Sequence, residues 1–274
     1  MLVEERHFRI CEILSRQRTV SAAELKKTLM VTAATIRRDL AALEQQGLLV
    51  RSHGGAVSKA SSTNFQPSYE ALGRSNHEEK QAIAQAAAKL ILDGDTVFLE
   101  GSTTVYELAL LLLHRNRLTV VTNSPLILCQ LQRAPSINVM CTGGDLQRDI
   151  FYLSGLWAQR SLSEIRVDKA VLGVSAIDPA YGISTASQSE ASIKKLIVKV
   201  ARERIGVADH SKFGNQGFAY VGPSTDITTL ITDAGTEEKH IRALRESGVQ
   251  VIVAGEAAEA APQKFSGRSR AKGR

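Results

Sequence analysis

The sequence predicts an α/β protein in two unequal parts: a small N-terminal winged helix-turn-helix, then a larger domain on a doubly wound parallel sheet. Three observations predict it. Capping residues divide the first 57 residues into three short helical segments and a hairpin. From residue 77 onward, short all-apolar runs alternate with helix-period segments. The chain has 274 residues, 43% hydrophobic and 23% charged, so it can bury a core, which excludes intrinsic disorder.

The head comes first. Arg6 to Leu14 places Ile10, Ile13 and Leu14 on one side of a helical wheel and predicts an amphipathic helix. In Val20-Ser21-Ala22-Ala23-Glu24-Leu25, Ser21 can cap, Glu24 can reciprocate and Val20 can staple onto Leu25, so a second helix runs from there to about Leu29. After Met30 and Val31, Thr32 caps a third helix that reaches roughly Gln46 before Gly47 stops it. Two short helices joined by so tight a turn make a helix-turn-helix.

On the third helix Ile36, Leu40 and Leu43 fix the core-facing stripe. Ala34, Arg38, Ala41 and Gln45 then lie opposite it, with Arg37 on the flank. Small side chains let a helix approach base edges, and arginines can fork onto guanine or clamp phosphate. An ordinary solvated face is the alternative for an arginine pair. Asp39, near the core boundary, is placed to orient an arginine, since a bare carboxylate repels phosphate. Residues 48–57 read as a β-hairpin wing with Arg51 and His53 placed to meet a backbone or minor groove.

Charge agrees with that division. Residues 1–57 carry nine Lys/Arg against six Asp/Glu and residues 257–274 five against one, leaving the other 199 residues at −1 out of a total of +6. Basic charge concentrated on a small unit is the footprint of a nucleic-acid reader. The tail, 257–274, has no apolar period and reads as a disordered extension.

Thr32-Ala33-Ala34-Thr35-Ile36-Arg37-Arg38-Asp39-Leu40, Leu43-Glu44-Gln45-Gln46-Gly47 and Arg51-Ser52-His53-Gly54-Gly55-Ala56 together closely resemble the DeoR family of bacterial transcriptional regulators. The resemblance implies a winged helix-turn-helix with residues 32–46 as recognition helix. Thr32 stands where the family most often has serine, and either hydroxyl can cap. The candidate DNA contacts are Thr32, Ala34, Thr35, Arg37, Arg38, Arg51 and His53.

Residues 58–76 are polar, interrupted by Pro67 and Gly73, and read as a linker whose Phe65 and Tyr69 can dock on a domain. The larger domain, 77–256, predicts strands at 96–99, 118–122, 137–141, 169–174, 204–208, 229–232 and 250–253, with helices at 78–92, 103–113, 126–131, 189–203 and 237–247. All-apolar strands between helices indicate a parallel sheet covered on both faces.

Ligands of such sheets bind beyond the carboxyl ends of the strands. Following the strands here are Glu100-Gly101-Ser102-Thr103-Thr104, Asn123-Ser124, Thr142-Gly143-Gly144-Asp145, Ser175-Ala176 and Asp209-His210-Ser211-Lys212. Ser102 to Thr104 put hydroxyls and N–H groups at a helix start, which favours an anion such as phosphate. Asn123 could read sugar hydroxyls, the glycines leave room, and Lys212 or Lys194 could neutralise a phosphate. Each loop alone is equally at home as an ordinary turn, and only their common location at one sheet edge favours a site.

These loops, with Asp93-Gly94-Asp95-Thr96, Arg148, Gly155 and Asp168-Lys169-Ala170, resemble the sensor domain of the same family, whose fold is related to ribose-5-phosphate isomerase and glucosamine-6-phosphate deaminase. The two resemblances cover about residues 3 to 254. They imply effector contacts at Ser102, Thr103, Thr104, Asn123, Gly144, Lys194 and Lys212, with Lys195 able to serve in place of Lys194.

The expected function is a repressor of carbohydrate-metabolism genes that binds an operator duplex and is relieved by a phosphorylated sugar or related metabolite. Homo-oligomers are expected from half-site geometry and the family. The rival is a sugar-phosphate isomerase or deaminase with an accessory DNA-binding head, in which Glu100 and Asp209 would act as acid and base. No nucleophile-base pattern or metal-ligand spacing accompanies them, so no enzyme, metal or cofactor is expected. RNA binding would call for exposed aromatics, and these are 5% of the chain. No window approaches the roughly 18 apolar residues of a bilayer span, and the start lacks a signal peptide's apolar stretch, so a cytoplasmic location without membrane contact is expected. Cys11, Cys129 and Cys141, odd in number and set among apolar neighbours, are expected to be buried reduced thiols.

Overall fold

The computed structural model describes residues 3–17, 19–45, 48–52, 54–58 and 68–255. The head runs α1 (Val3–Gln17), β1 (Thr19–Ser21), α2 (Ala22–Leu29), α3 (Ala33–Gln45), β2 (Leu49–Ser52) and β3 (Gly55–Ser58). Both expected caps form: Ser21 Oγ accepts the Glu24 N–H and Thr32 Oγ1 accepts the Thr35 N–H, each at 3.1 Å. Met30 closes the turn between α2 and α3 in a left-handed conformation.

The head's core is Ile10, Leu14, Val20, Leu25, Leu29, Ile36, Leu40, Leu43, Leu49 and Ala56. Each large aliphatic among them contributes about 1.5–3 kcal/mol by leaving water. One polar tie crosses beneath it. Asp39 accepts from Arg6 Nε at 2.5 Å and Nη2 at 2.9 Å, with His7 Nε2 at 3.1 Å, and so orients an arginine as its position predicts.

Strand β1 departs from expectation. Val20 reaches the core from a strand that pairs antiparallel with β3, opposite Ala56, so the wing is a three-stranded sheet in the order β1-β3-β2. Gly55 permits this approach, because a Cβ there would lie 2.1 Å from the Val20 carbonyl oxygen.

The larger domain opens with α4 (Tyr69–Arg74) and α5 (His77–Ala88), continuing through β4 (Thr96–Leu99), α6 (Thr103–Leu112), β5 (Leu118–Thr122), α7 (Pro125–Leu131) and β6 (Ile137–Cys141). The hairpin β7 (Asp145–Gln147) and β8 (Tyr152–Ser154) leads into α8 (Gly155–Ser163) and β9 (Val167–Gly173). Next come β10 (Ala176–Asp178), β11 (Gly182–Thr185), α9 (Gln188–Val200), β12 (Ala201–Val207), β13 (Ala219–Gly222), β14 (Thr229–Thr232), α10 (Glu238–Glu246) and β15 (Gln250–Val253).

Seven strands form one wholly parallel sheet in the order β15-β14-β12-β9-β4-β5-β6. Side chains alternate across it. Val97 and Leu99 pack with Ile83, Val105, Leu108 and Ile127 of α5 to α7, whereas Phe98 joins Ala158, Leu162, Ile193 and Ile197 of α8 and α9 on the other face. The sheet is therefore doubly wound, as the apolar runs predict. From β4 the chain builds outward through β5 and β6, then returns to β9 on the opposite side, so strand order reverses between β4 and β9. That switch point fixes where a ligand crevice belongs. At the opposite end, Lys169 Nζ reaches Asp95 Oδ2 at 2.5 Å and Asp168 accepts the Thr96 N–H at 3.0 Å, so these family-like residues pin strand starts.

Other differences have local causes. Residues 69–74, read as linker, form α4 under a Ser68 cap. Helix α8 was not predicted, because its two buried residues, Ala158 and Leu162, are matched by two exposed apolar ones, Leu156 and Trp157, which blurs the apolar face. Residues 201–203, read as the end of a helix, already belong to β12. The cysteines are free but not fully buried: Cys129 is exposed, since Ile127 and Leu131 supply the inward face of α7. Phe65, most of the expected linker, Gly47 and the tail at 257–274 lie outside the described residues.

Candidate functional site

Two sets of candidate residues were expected. In the head, Ala34, Arg37 and Arg38 are exposed on α3, Thr32 caps its start, and Thr35 is half-buried beside that cap. Neither Arg37 nor Arg38 has an ion-pair partner among the described residues. Arg38 thus stands on the face opposite Ile36, Leu40 and Leu43, and Arg37 on its flank. Arg51, on β2, is exposed; its backbone N–H donates to Glu44 Oε1 at 2.9 Å, tying the wing to α3. His53 lies outside the described residues.

The second set gathers at the switch point. Ser102 caps α6, its Oγ accepting the Val105 N–H at 3.2 Å. Among the described residues the N–H groups of Thr103 and Thr104 have no acceptor. A helix start with two open donors has the chemistry to accept an anion. Behind it, Asn123 is fully buried: its Oδ1 accepts the Gly101 N–H at 2.8 Å and its amide donates to the Leu153 carbonyl. Asn123 therefore holds the loop in place, with both ends of its amide occupied.

Lys194, expected at the ligand, is only 2% exposed. Its ammonium donates to Glu100 Oε1 at 2.8 Å and to the Gly173 carbonyl at 2.5 Å, and lies 3.3 Å from Glu190 Oε1. Glu100 Oε2 in turn accepts the Gly173 N–H at 3.0 Å. This triad joins the ends of β4 and β9 through α9. Burial pushes the Glu100 carboxyl above its usual range despite Lys194. Burial also works against the Lys194 charge, but the two carboxylates outweigh it and raise its pKa, so it stays an ammonium. Ser175 and Thr185 hydroxyls donate to Glu190.

Gly144 serves packing. It sits at φ 111°, and a Cβ there would lie 2.3 Å from the Ser154 carbonyl oxygen at the start of α8. Lys212 belongs to a separate group at the end of β12. Its Nζ lies 3.8 Å from Asp209 Oδ2, and Asp209 Oδ1 accepts from Asn76 Nδ2 at 2.8 Å and the Ser211 N–H at 3.0 Å. Burial would raise the Asp209 carboxyl, but Lys212, Ser211, Lys80 and Asn76 together hold it below the ordinary carboxylate range. The expected residues therefore form a core around Ser102–Thr104, with Asn123 and Lys194 supporting it, and a neighbouring pair at Asp209 and Lys212.

Two family models match the chain: a DeoR-like helix-turn-helix domain over residues 6–62 and a DeoR C-terminal sensor domain over residues 75–234. The chain belongs to the DeoR family of transcriptional regulators. It is 37% identical over 254 residues to the HTH-type transcriptional regulator YulB of Bacillus subtilis strain 168, covering 92% of this chain and 96% of that one. The putative aga operon transcriptional repressor of Escherichia coli O157:H7 is 35% identical over 253 residues, covering 92% and 94%. The repressor GlcR of Bacillus subtilis strain 168 is 34% identical over 255 residues, covering 92% and 97%. Among solved structures, ribose 5-phosphate isomerase A from Methanocaldococcus jannaschii covers 51% of this chain and 55% of its own at 19% identity, with a TM-score of 0.38. That likeness is too remote to bear on activity.

In this DeoR-family chain, Lys80 and Glu190 are the site residues that sequence reasoning missed. Both carried a signal. Lys80 falls on the stripe of Ile83, Ala84 and Ala87, and Glu190 stands four residues before Lys194 beside Ala191 and Ile193, so each is a charge on a buried helix face. No helix among the described residues is long and apolar enough to cross a membrane.

Proposed function

We propose that this regulator is a cytoplasmic homo-oligomeric repressor of carbohydrate-metabolism genes, released from its operator by a phosphorylated sugar or related metabolite. In this reading residues 1–57 grip DNA, 58–76 connect, 77–256 sense the metabolite, and the basic tail, 257–274, is an accessory. The observation that carries it is the α6 start at the switch point, where Thr103 and Thr104 offer open N–H donors beside hydroxyls. A phosphate would sit there, with Lys212 as the nearby cation and Asp209 as acceptor for a sugar hydroxyl. On the head, Thr32, Ala34, Thr35, Arg37 and Arg38 present the DNA-reading surface, supported by Arg51 and His53 from the wing.

Glu100 and Asp209, the acid and base of the isomerase alternative, are each already engaged: Glu100 by Lys194 and the Gly173 N–H, Asp209 by Asn76, Ser211 and Lys212. That engagement favours sensing over catalysis. A panel of sugar phosphates should therefore raise the melting temperature, since a ligand that binds only the native state stabilises it by mass action. Turnover of any member would favour the enzyme.

Arg38→Ala should weaken operator binding by about 1–3 kcal/mol with relaxed sequence preference if it reads a base, or uniformly with a shallower salt dependence if it clamps phosphate. Affinity equal to wild type in a fluorescence-anisotropy titration would remove Arg38 from the interface. Lys212→Ala should leave operator affinity within about threefold of wild type while blunting the release caused by the active sugar phosphate. An undiminished response would place the anion elsewhere.

A further inference from the structure

Helix α4 has six residues, none of them buried, and a helix so short does not persist by itself. Polar ties hold it to the sensor domain at both ends. At its start, Ser68 Oγ caps the Ala71 N–H, and the Tyr69 N–H donates to the Asp149 carbonyl at 2.7 Å while its ring meets Phe151 edge-on. At its end, the Lys80 ammonium donates to the carbonyls of Leu72 and Ser75. Lys80 is 3% exposed and has no carboxylate within ion-pair distance among the described residues.

That helix touches both halves of the candidate crevice. Gly73 faces the Thr103 methyl, at 3.9 Å from a Cβ built on the glycine, in the first turn of α6. Just beyond α4, Asn76 binds Asp209, which is also the partner of Lys212. Burial pulls the Lys80 ammonium down to about 8, with Asp209, Glu79 and Glu107 supporting its charge and Lys212 opposing it. Asp209 and Lys212 both act on Lys80, so an anion placed at Lys212 would compete with Asp209 for that lysine and alter the field at Lys80. The chain then passes from α4 back through residues 59–67 to the head.

We infer that α4 is the coupling strap of this regulator: Lys80 and Asn76 relay occupancy of the Thr103–Lys212 crevice to α4, and α4 to the DNA-binding head. This rests on the sensing role proposed above. An element without a fully buried residue, held by a few hydrogen bonds and one ring contact, is drawn from the low-stability end of a fold, as a switching segment must be.

Hydrogen exchange on the full chain, with operator affinity measured in parallel, tests it. Lys80→Met should speed exchange of the 69–75 amides at least tenfold while the β4 and β5 amides keep wild-type protection, and should shift operator affinity at least fivefold with no ligand present. In wild type, whichever of ribose 5-phosphate, glucose 6-phosphate or inorganic phosphate raises the melting temperature should also change exchange at 69–75. Should Lys80→Met lose its cooperative melt, Asn76→Gly, which removes the bond to Asp209 and tolerates the left-handed backbone at φ 50°, carries the same expectations. A loosened α4 with unchanged operator affinity, or a bound probe that leaves 69–75 untouched, overturns the inference. A wild-type chain that binds no duplex overturns the sensing reading and the inference with it.

Discussion

Asp39→Ala is expected to abolish operator binding by unfolding the head while the sensor domain stays intact. The carboxylate is 4% exposed and accepts two bonds from Arg6, itself 8% exposed, plus one from His7. A buried pair that loses one partner costs about 3–5 kcal/mol. A head whose core is ten side chains has little more than that to lose. Thermal melts followed by circular dichroism should lose the head's transition and keep the sensor's. An unchanged melt with wild-type operator affinity would show that the pair is dispensable. Acid should act in the same direction. Burial alone would raise the Asp39 carboxyl, but Arg6 and His7 hold it below its ordinary value. Its stabilisation is therefore fully present above the unfolded carboxylate pKa of about 3.9 and is lost as pH falls through the lower folded value.

Lys194→Met should have a comparable effect in the sensor domain. The methionine keeps most of the side-chain volume but leaves Glu100 and Glu190 facing one another without the ammonium between them. The same range of about 3–5 kcal/mol applies, read as a lower urea midpoint for the sensor transition. Because Glu100 joins Lys194 to the Gly173 N–H, the change also loosens the β4 and β9 ends that shape the crevice. The double variant Glu100→Gln, Lys194→Met should recover part of the loss, since one of the stranded charges is gone. A loss below about 1 kcal/mol in the single variant would mean that the triad relaxes through water, and that Lys194 is free to meet the ligand as the sequence led us to expect.

Legibility in the sequence followed the physics of each element. All seven parallel strands were visible, because a strand covered on both faces is a short all-apolar run such as Thr96–Leu99. The caps Ser21 and Thr32 were visible for an equally local reason: both partners lie within three residues. Strand β1 was not, because an exposed-buried-exposed run of only three residues is too short to establish a period, and Val20 looked like a helix staple. Helix α4 was hidden by Pro67 and Gly73, and by being held through carbonyls rather than an apolar face.

The site divided along the same line. The helix start at Ser102 to Thr104 was legible because a hydroxyl-rich loop after a buried strand announces one. Lys194 was read as facing the ligand because residue type reports a charge but not its partners, one of which here is a carboxylate 94 positions away. The partners of Asn123 were hidden in the same way: its amide bonds Gly101 and Leu153, neither of which its own neighbourhood reveals.

On the function proposed above, duplex recognition by the head answers to a metabolite held by the sensor domain. Selection from a randomised duplex library by the purified full chain, at about 50 and about 200 mM salt, tests it most directly, with the sugar phosphates present and absent. One sequence class should be enriched, its affinity should fall steeply with salt, and at least one sugar phosphate should shift its Kd by about fivefold or more. Failure to enrich any duplex at either salt, with or without the sugar phosphates, would contradict it.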